Sequence, residues 1–207
     1  MQQVTILDNG KLSDSVVLNS IESLRKDVPD LDDTAVESHM TLFRAYAVYF
    51  DALSSRYEDL GLSHARFNMI RWLYHAEGNR LSMTELGAYL EASVPNVIRM
   101  VEGLQSDDWV CRVESETDRR VTYVQLTQGG LTRFRAMLPR ALEIWEEVQS
   151  GLSNEEQAML SHLLTKLRMT LLSRYMGTGD LVSFRLEKRN RKRAAKAKRQ
   201  PAAATPT

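Results

Sequence analysis

The chain has 207 residues, 43% of them hydrophobic, 26% charged and 7% aromatic. That is apolar enough to bury a core, and no apolar run approaches the roughly 20 residues a bilayer span requires. One cysteine, Cys111, excludes an intramolecular disulfide framework or a multi-cysteine zinc site. The N-terminal stretch carries Asp8 and Asp14 and fits neither a secretory nor a transit peptide, so a reducing cytoplasm is the expected compartment. The formal net charge of zero hides two unequal parts: residues 185–199 hold nine Lys or Arg against Glu187 alone, +8, which leaves −8 on the rest. Such asymmetry between body and tail marks an interaction arm for nucleic acid or another anionic surface.

In chain order, residues 11–27 show a weak helical pattern through Val17, Ile21, Leu24 and Val28, ended by Pro29. This places a short helix in an N-terminal extension, residues 1–33. From 34 to 60, Val36, Met40, Phe43, Ala47, Phe50, Ser54 and Tyr57 step by three and four, a seam that faces another helix. Residues 63–76 form a helix with Phe67, Ile70, Leu73 and Tyr74 inward, and Gly78-Asn79 supplies a turn. Ser82 and Glu85 make a capping box for a short helix carrying Leu86 and Leu90. Ser93 caps the next helix, with Pro95 in its first turn and Val97, Met100, Val101 and Leu104 buried. The period then changes to two: Trp109, Cys111, Val113 and the segment from Val121 to Gln125 predict antiparallel strands around a polar loop, residues 109–126 in all. Thr127 caps a long helix that Pro139 is expected to kink. Ser153 and Glu156 cap a last helix with Leu160, Leu164, Leu167 and Leu171 on one face. Helices at 34–60 and 127–176 with long apolar seams can pack internally or bury those seams against a second copy of the chain as a homodimer.

Short helix, turn, helix (82–106), then a two-stranded ribbon is the order of a winged helix-turn-helix, so the predicted fold is mainly α with a small β wing. Such a unit sets its second helix in the DNA major groove, N-terminal residues toward base edges. Here those are Ser93, Val94, Asn96 and Arg99. Asn pairs bidentately with adenine and Arg with guanine, and Val94 suits a thymine methyl.

Asp118-Arg119-Arg120, followed by Val121, Val124, Leu126 and Thr127, resembles the D-x-R wing signature and closing L-T of the MarR (multiple antibiotic resistance regulator) family. Leu81, Thr84, Glu85, Leu86 and Leu90 match that family's L-x-x-x-E-L-x-x-x-L segment. Ser93, Pro95, Val97, Arg99, Val101 and Leu104 match its recognition helix, and Trp109-Val110 its entry to the wing. The resemblance covers residues 34–176. It implies a cytoplasmic homodimeric regulator, most simply a repressor, reading a pseudo-palindrome in double-stranded DNA. In that reading Arg120 enters the minor groove, Asp118 orients arginines by ion pairing, and Arg119 stands beside them. It further implies a small aromatic effector near Tyr46, Tyr49, Phe50, His64, Arg66, Phe67 and Trp72.

Two features depart from the family pattern. Asp107-Asp108 stands where a glycine usually precedes the first wing strand, and Asp tolerates the left-handed turn required there. Residues 81–127 also sum to −4, with four Arg, no Lys and eight acidic groups, although affinity for DNA comes chiefly from phosphate neutralisation. The basic, disordered tail expected at 177–207 therefore offers auxiliary phosphate contacts through Lys188, Arg189, Arg191, Lys192 and Arg193. No nucleophile triad, phosphate loop or paired metal-ligand spacing points to an enzyme, a metal or a cofactor. The competing reading is a nucleoid-associated or interaction module that grips DNA through its tail with little sequence preference.

Overall fold

The computed structural model describes residues 4–6, 12–90, 92–115, 121–176, 183, 185–188 and 191. The chain divides into two compact units, Met1–Arg56 and Tyr57–Thr207, with the boundary near the end of a long helix.

In the first unit β1 (Val4–Ile6) pairs antiparallel with β2 (Leu12–Asp14), followed by α1 (Ser15–Arg25) and α2 (Asp33–Glu58). The expected helix at 11–27 therefore starts four residues late. Asp14 explains why: its carboxylate accepts from the Val16 N–H at 2.8 Å and caps α1, which leaves residues 12–14 extended. The same carboxylate accepts from Arg44 Nε at 2.7 Å, and that guanidinium foremost holds the Asp14 pKa below the usual carboxylate value. The predicted seam of α2 is covered unevenly: Phe43, Ala47 and Phe50 are exposed, Val36, Met40 and Ser54 half-buried, and Tyr57 buried.

The second unit contains α3 (His64–His75), a 3-10 turn (Glu77–Asn79), β3 (Arg80–Ser82), α4 (Met83–Tyr89), α5 (Val94–Ser106), β4 (Val110–Glu114), β5 (Thr122–Leu126), α6 (Gln128–Gln149) and α7 (Asn154–Leu171), with a π-helical turn at Leu172–Met176. Phe67, Met69, Ile70 and Leu73 of α3 are fully buried beside Leu86, Val97, Val101, Leu104, Val124 and Phe134. Phe67 stacks on Tyr57 with centroids 4.2 Å apart, and the Tyr57 hydroxyl accepts from Trp145 Nε1 at 2.7 Å.

The sheet has three strands, in the order β3-β5-β4, where two were expected. Leu81 lies opposite Val124, and Val124 also faces Arg112 of β4. Three residues are too few to display an alternating pattern, so β3 is visible only through its pairing. The capping boxes at Ser82 and Ser153 form as predicted, and α6 runs unbroken through Pro139. No helix among the described residues is long and apolar enough to cross a membrane.

Candidate nucleic-acid interface

Helix α4 is fixed by its first turn: Ser82 N–H donates to Glu85 Oε2 at 2.8 Å, and Glu85 N–H to Ser82 Oγ at 3.2 Å. Its buried Leu86, Gly87 and Ala88 seat it on the core. Helix α5 then buries Val97, Val101 and Leu104 completely, which turns Asn96 and Arg99 outward. Arg99 Nη2 donates to Asn96 Oδ1 at 3.1 Å, so one turn presents an amide and a guanidinium as a joined pair. Ser93 occupies the N-cap position with extended backbone, but its hydroxyl makes no capping bond, contrary to the expected cap. Pro95 in the first turn shapes this end of the helix instead. Val94 opens α5 by its backbone; its side chain lies outside the described residues, as do Asp118, Arg119 and Arg120.

The turn from α5 into the sheet carries the Asp107-Asp108 departure. Asp108 takes φ +54°, the left-handed conformation a glycine would adopt freely. Three contacts hold it there. Thr127 Oγ1 donates to the Asp108 carbonyl at 2.9 Å, and Arg133 donates to the carbonyls of Asp107 and Asp108. Arg133 also lies 4.3 Å over the Trp109 ring. Thr127 in turn accepts from the Gly130 N–H at 2.8 Å, so the predicted cap of α6 also braces the entry to the wing.

Of the seven candidate effector residues, four lie in the second unit and three in the first. Phe67 is core. Arg66 passes over Gly103, where a Cβ would stand 2.5 Å from its guanidinium, and pairs with Asp107 at 2.9 Å. It fastens α3 to the end of α5. Trp72 packs on Tyr89 at 4.4 Å, with Arg71 above it at 4.6 Å. His64 stacks on Tyr57 at 5.6 Å and accepts from Asn68 Nδ2 at 3.0 Å. Burial foremost, then the Arg71 charge, keeps the His64 pKa below the ordinary histidine value. Tyr46, Tyr49 and Phe50 belong to α2 in the first unit.

A feature missed from the sequence is an open cavity of about 790 Å³ lined by Glu77, Arg80, Glu85, Tyr89, Tyr123 and Gln125, among others. Arg80 lies 4.9 Å over the Tyr123 ring within it. Because β3 creates this juxtaposition, no local pattern could have announced it.

Of the tail residues, Lys188 and Arg191 are helical and exposed, and Arg191 lies 3.7 Å from Glu187. Arg189, Lys192 and Arg193 lie outside the described residues.

Comparison with known proteins agrees with this architecture. The family model described as MarR family matches residues 60–121. The transcriptional repressor YetL of Bacillus subtilis is 26% identical over 138 residues, 67% of this chain and 83% of the relative. Among solved structures, Sco3205 of Streptomyces coelicolor, a MarR family regulator in complex with DNA, superposes with TM-score 0.58 at 23% identity over 66% of this chain and 88% of that one. Bordetella bronchiseptica BpsR, described for regulation of its DNA binding by 6-hydroxynicotinic acid, gives TM-score 0.56 at 23% identity over 63% and 98%. With the matched segment running from the start of α3 through the helix-turn-helix to the wing loop, the chain resembles the MarR family of winged helix-turn-helix transcriptional regulators.

Proposed function

We propose that this protein is a cytoplasmic repressor that binds a pseudo-palindromic operator in double-stranded DNA as a homodimer. The observation that carries the reading is α5: an apolar face wholly consumed by the core, and Asn96 with Arg99 joined and exposed on the opposite side. Laid in a major groove, that pair faces an adenine and a guanine edge. Two copies would read half-sites about 34–36 Å apart. The exposed leucine face of α7 supplies the surface on which two copies join. The wing residues Asp118, Arg119 and Arg120 belong to the same proposal, with Arg120 in the minor groove, where a narrow groove concentrates negative potential.

The test is selection of genomic fragments by the full chain, followed by footprinting. A few palindromic sites support the reading, and Asn96→Ala or Arg99→Ala should then cost about 1–3 kcal/mol on those sites. Uniform occupancy would favour a nucleoid-associated module instead. Effector control is part of the proposal, with a small aromatic acid as the ligand class. The candidate residues for that ligand are Tyr46, Tyr49, Phe50, His64, Arg66, Phe67 and Trp72, and the cavity beside Arg80 and Tyr123 is a second place for it. An aromatic acid that binds but leaves operator affinity unchanged would refute that assignment.

A further inference from the structure

The basic run has a foothold on the helix-turn-helix. Arg185 is half-buried, and its Nη1 donates to the backbone carbonyl of Ala88 at 2.9 Å, across 97 positions of sequence. Ala88 is buried in the last turn of α4. Carbonyls of a last helical turn lack intrahelical partners and carry the negative end of the helix dipole, so a guanidinium is a fitting ligand for one of them. The contact fixes where the run begins. Residues 185–188 are helical and Lys188 is exposed. In the sequence, Arg185, Lys188, Lys192, Lys196 and Arg199 follow one another at steps of three, four, four and three.

Reach and charge then point the same way. Ala88 is six residues from Val94, the first residue of α5, a chain separation of at most about 20 Å. Arg199 is fourteen residues beyond Arg185, a distance of about 21 Å if helical and about 50 Å if extended. Cations tethered at Ala88 are thus within reach of phosphates on either side of a duplex seated on α5. Those phosphates need them, because residues 81–127 carry −4 and the run carries +8.

We propose that residues 185–199 are an auxiliary phosphate-binding arm, anchored by Arg185 to the Ala88 carbonyl. From that anchor Lys188, Arg189, Arg191, Lys192 and Arg193 neutralise duplex backbone phosphates flanking the bases that α5 reads. The arm adds affinity and no sequence information, which separates grip from reading within one chain. The inference rests on the DNA-binding reading above.

The test uses the full chain and two probes: the fragment enriched by genomic selection and a mixed-sequence 30-base-pair duplex. Anisotropy titrations run from 50 to 300 mM KCl. The variant Lys188→Gln/Arg189→Gln/Arg191→Gln/Lys192→Gln/Arg193→Gln should bind both probes more weakly and leave their affinity ratio unchanged. Its slope of log affinity against log salt should be shallower by about 4–5 per arm, at about 0.9 per phosphate. Arg185→Gln should weaken binding more than Lys188→Gln, which removes the same charge, and Arg185→Lys should recover most of the loss because an ammonium also donates to a carbonyl. An unchanged slope with the selected site still preferred overturns the arm and leaves the regulator reading intact. Loss of preference for the selected site in Asn96→Ala/Arg99→Ala, with the arm intact, supports the division between grip and reading. No preference by the native chain overturns the regulator reading itself. Tighter DNA binding by the five-glutamine variant would mean that the run competes with DNA. Vesicles of phosphatidylglycerol and phosphatidylcholine that retain the native chain but not that variant, together with an unchanged DNA slope, would assign the run to membranes. Either result overturns the proposal.

Discussion

Helices α3 and α7 have similar apolar stripes and opposite fates. In α3, four side chains, Phe67, Met69, Ile70 and Leu73, are fully buried. In α7 none is: Met159 is 57% exposed, Leu163 53%, and Leu160, Leu164 and Leu167 41–42%. An exposed apolar face this continuous marks an interaction surface on a protein of this size. The stripe of α3 therefore stabilises the chain itself, whereas that of α7 is the face on which the proposed dimer would form.

The sharpest way to break that contrast is Leu160→Glu/Leu164→Glu. Each buried leucine is worth about 1.5–3 kcal/mol, and a two-fold interface uses each position twice. Dimer association should weaken by about a thousandfold or more in sedimentation equilibrium, and an unchanged mass would show that α7 is not the interface. The complementary change, Phe67→Ala, should cost about 3–5 kcal/mol in denaturant unfolding through the cavity it leaves against Tyr57 and Phe134. It should leave self-association of the folded fraction intact.

Between these lies Gly130→Ala. Its Cβ would stand 2.2 Å from the Trp109 carbonyl, so the start of α6 must shift away from the wing entry. A loss of about 1–3 kcal/mol is expected, and a neutral result would mean that this close approach is slack. The smallest effect concerns His64. Its folded pKa lies below the unfolded value near 6.5, so its contribution to stability is present above that pH and lost as pH falls through the lowered value. Melting curves from pH 7.5 to 5 should fall more steeply for the native chain than for His64→Gln, and parallel curves would remove His64 from the account.

Much of the second unit was legible in the sequence because its signals are local. Capping boxes at Ser82 and Ser153, the Thr127 cap and the spacing of Val97, Val101 and Leu104 each operate within a turn or two of helix. The tolerance of aspartate for positive φ likewise foretold Asp108. The misreadings have local as well as distant origins. Strand β3 exists through its pairing with β5, the helix at 11–27 is shortened by Asp14, and Ser93 makes no capping bond.

By itself the sequence determined the order of helices and ribbon, the outward place of Asn96 and Arg99, and the separation of charge between body and tail. These follow from periodicity, capping chemistry and composition, which act over a few residues or over none in particular. Tertiary structure alone decided that the sheet has three strands, that Arg80 meets Tyr123, and that Arg185 lies on the Ala88 carbonyl. Each of these joins residues more than 40 positions apart, and such pairings arise only when the packed core brings distant segments together.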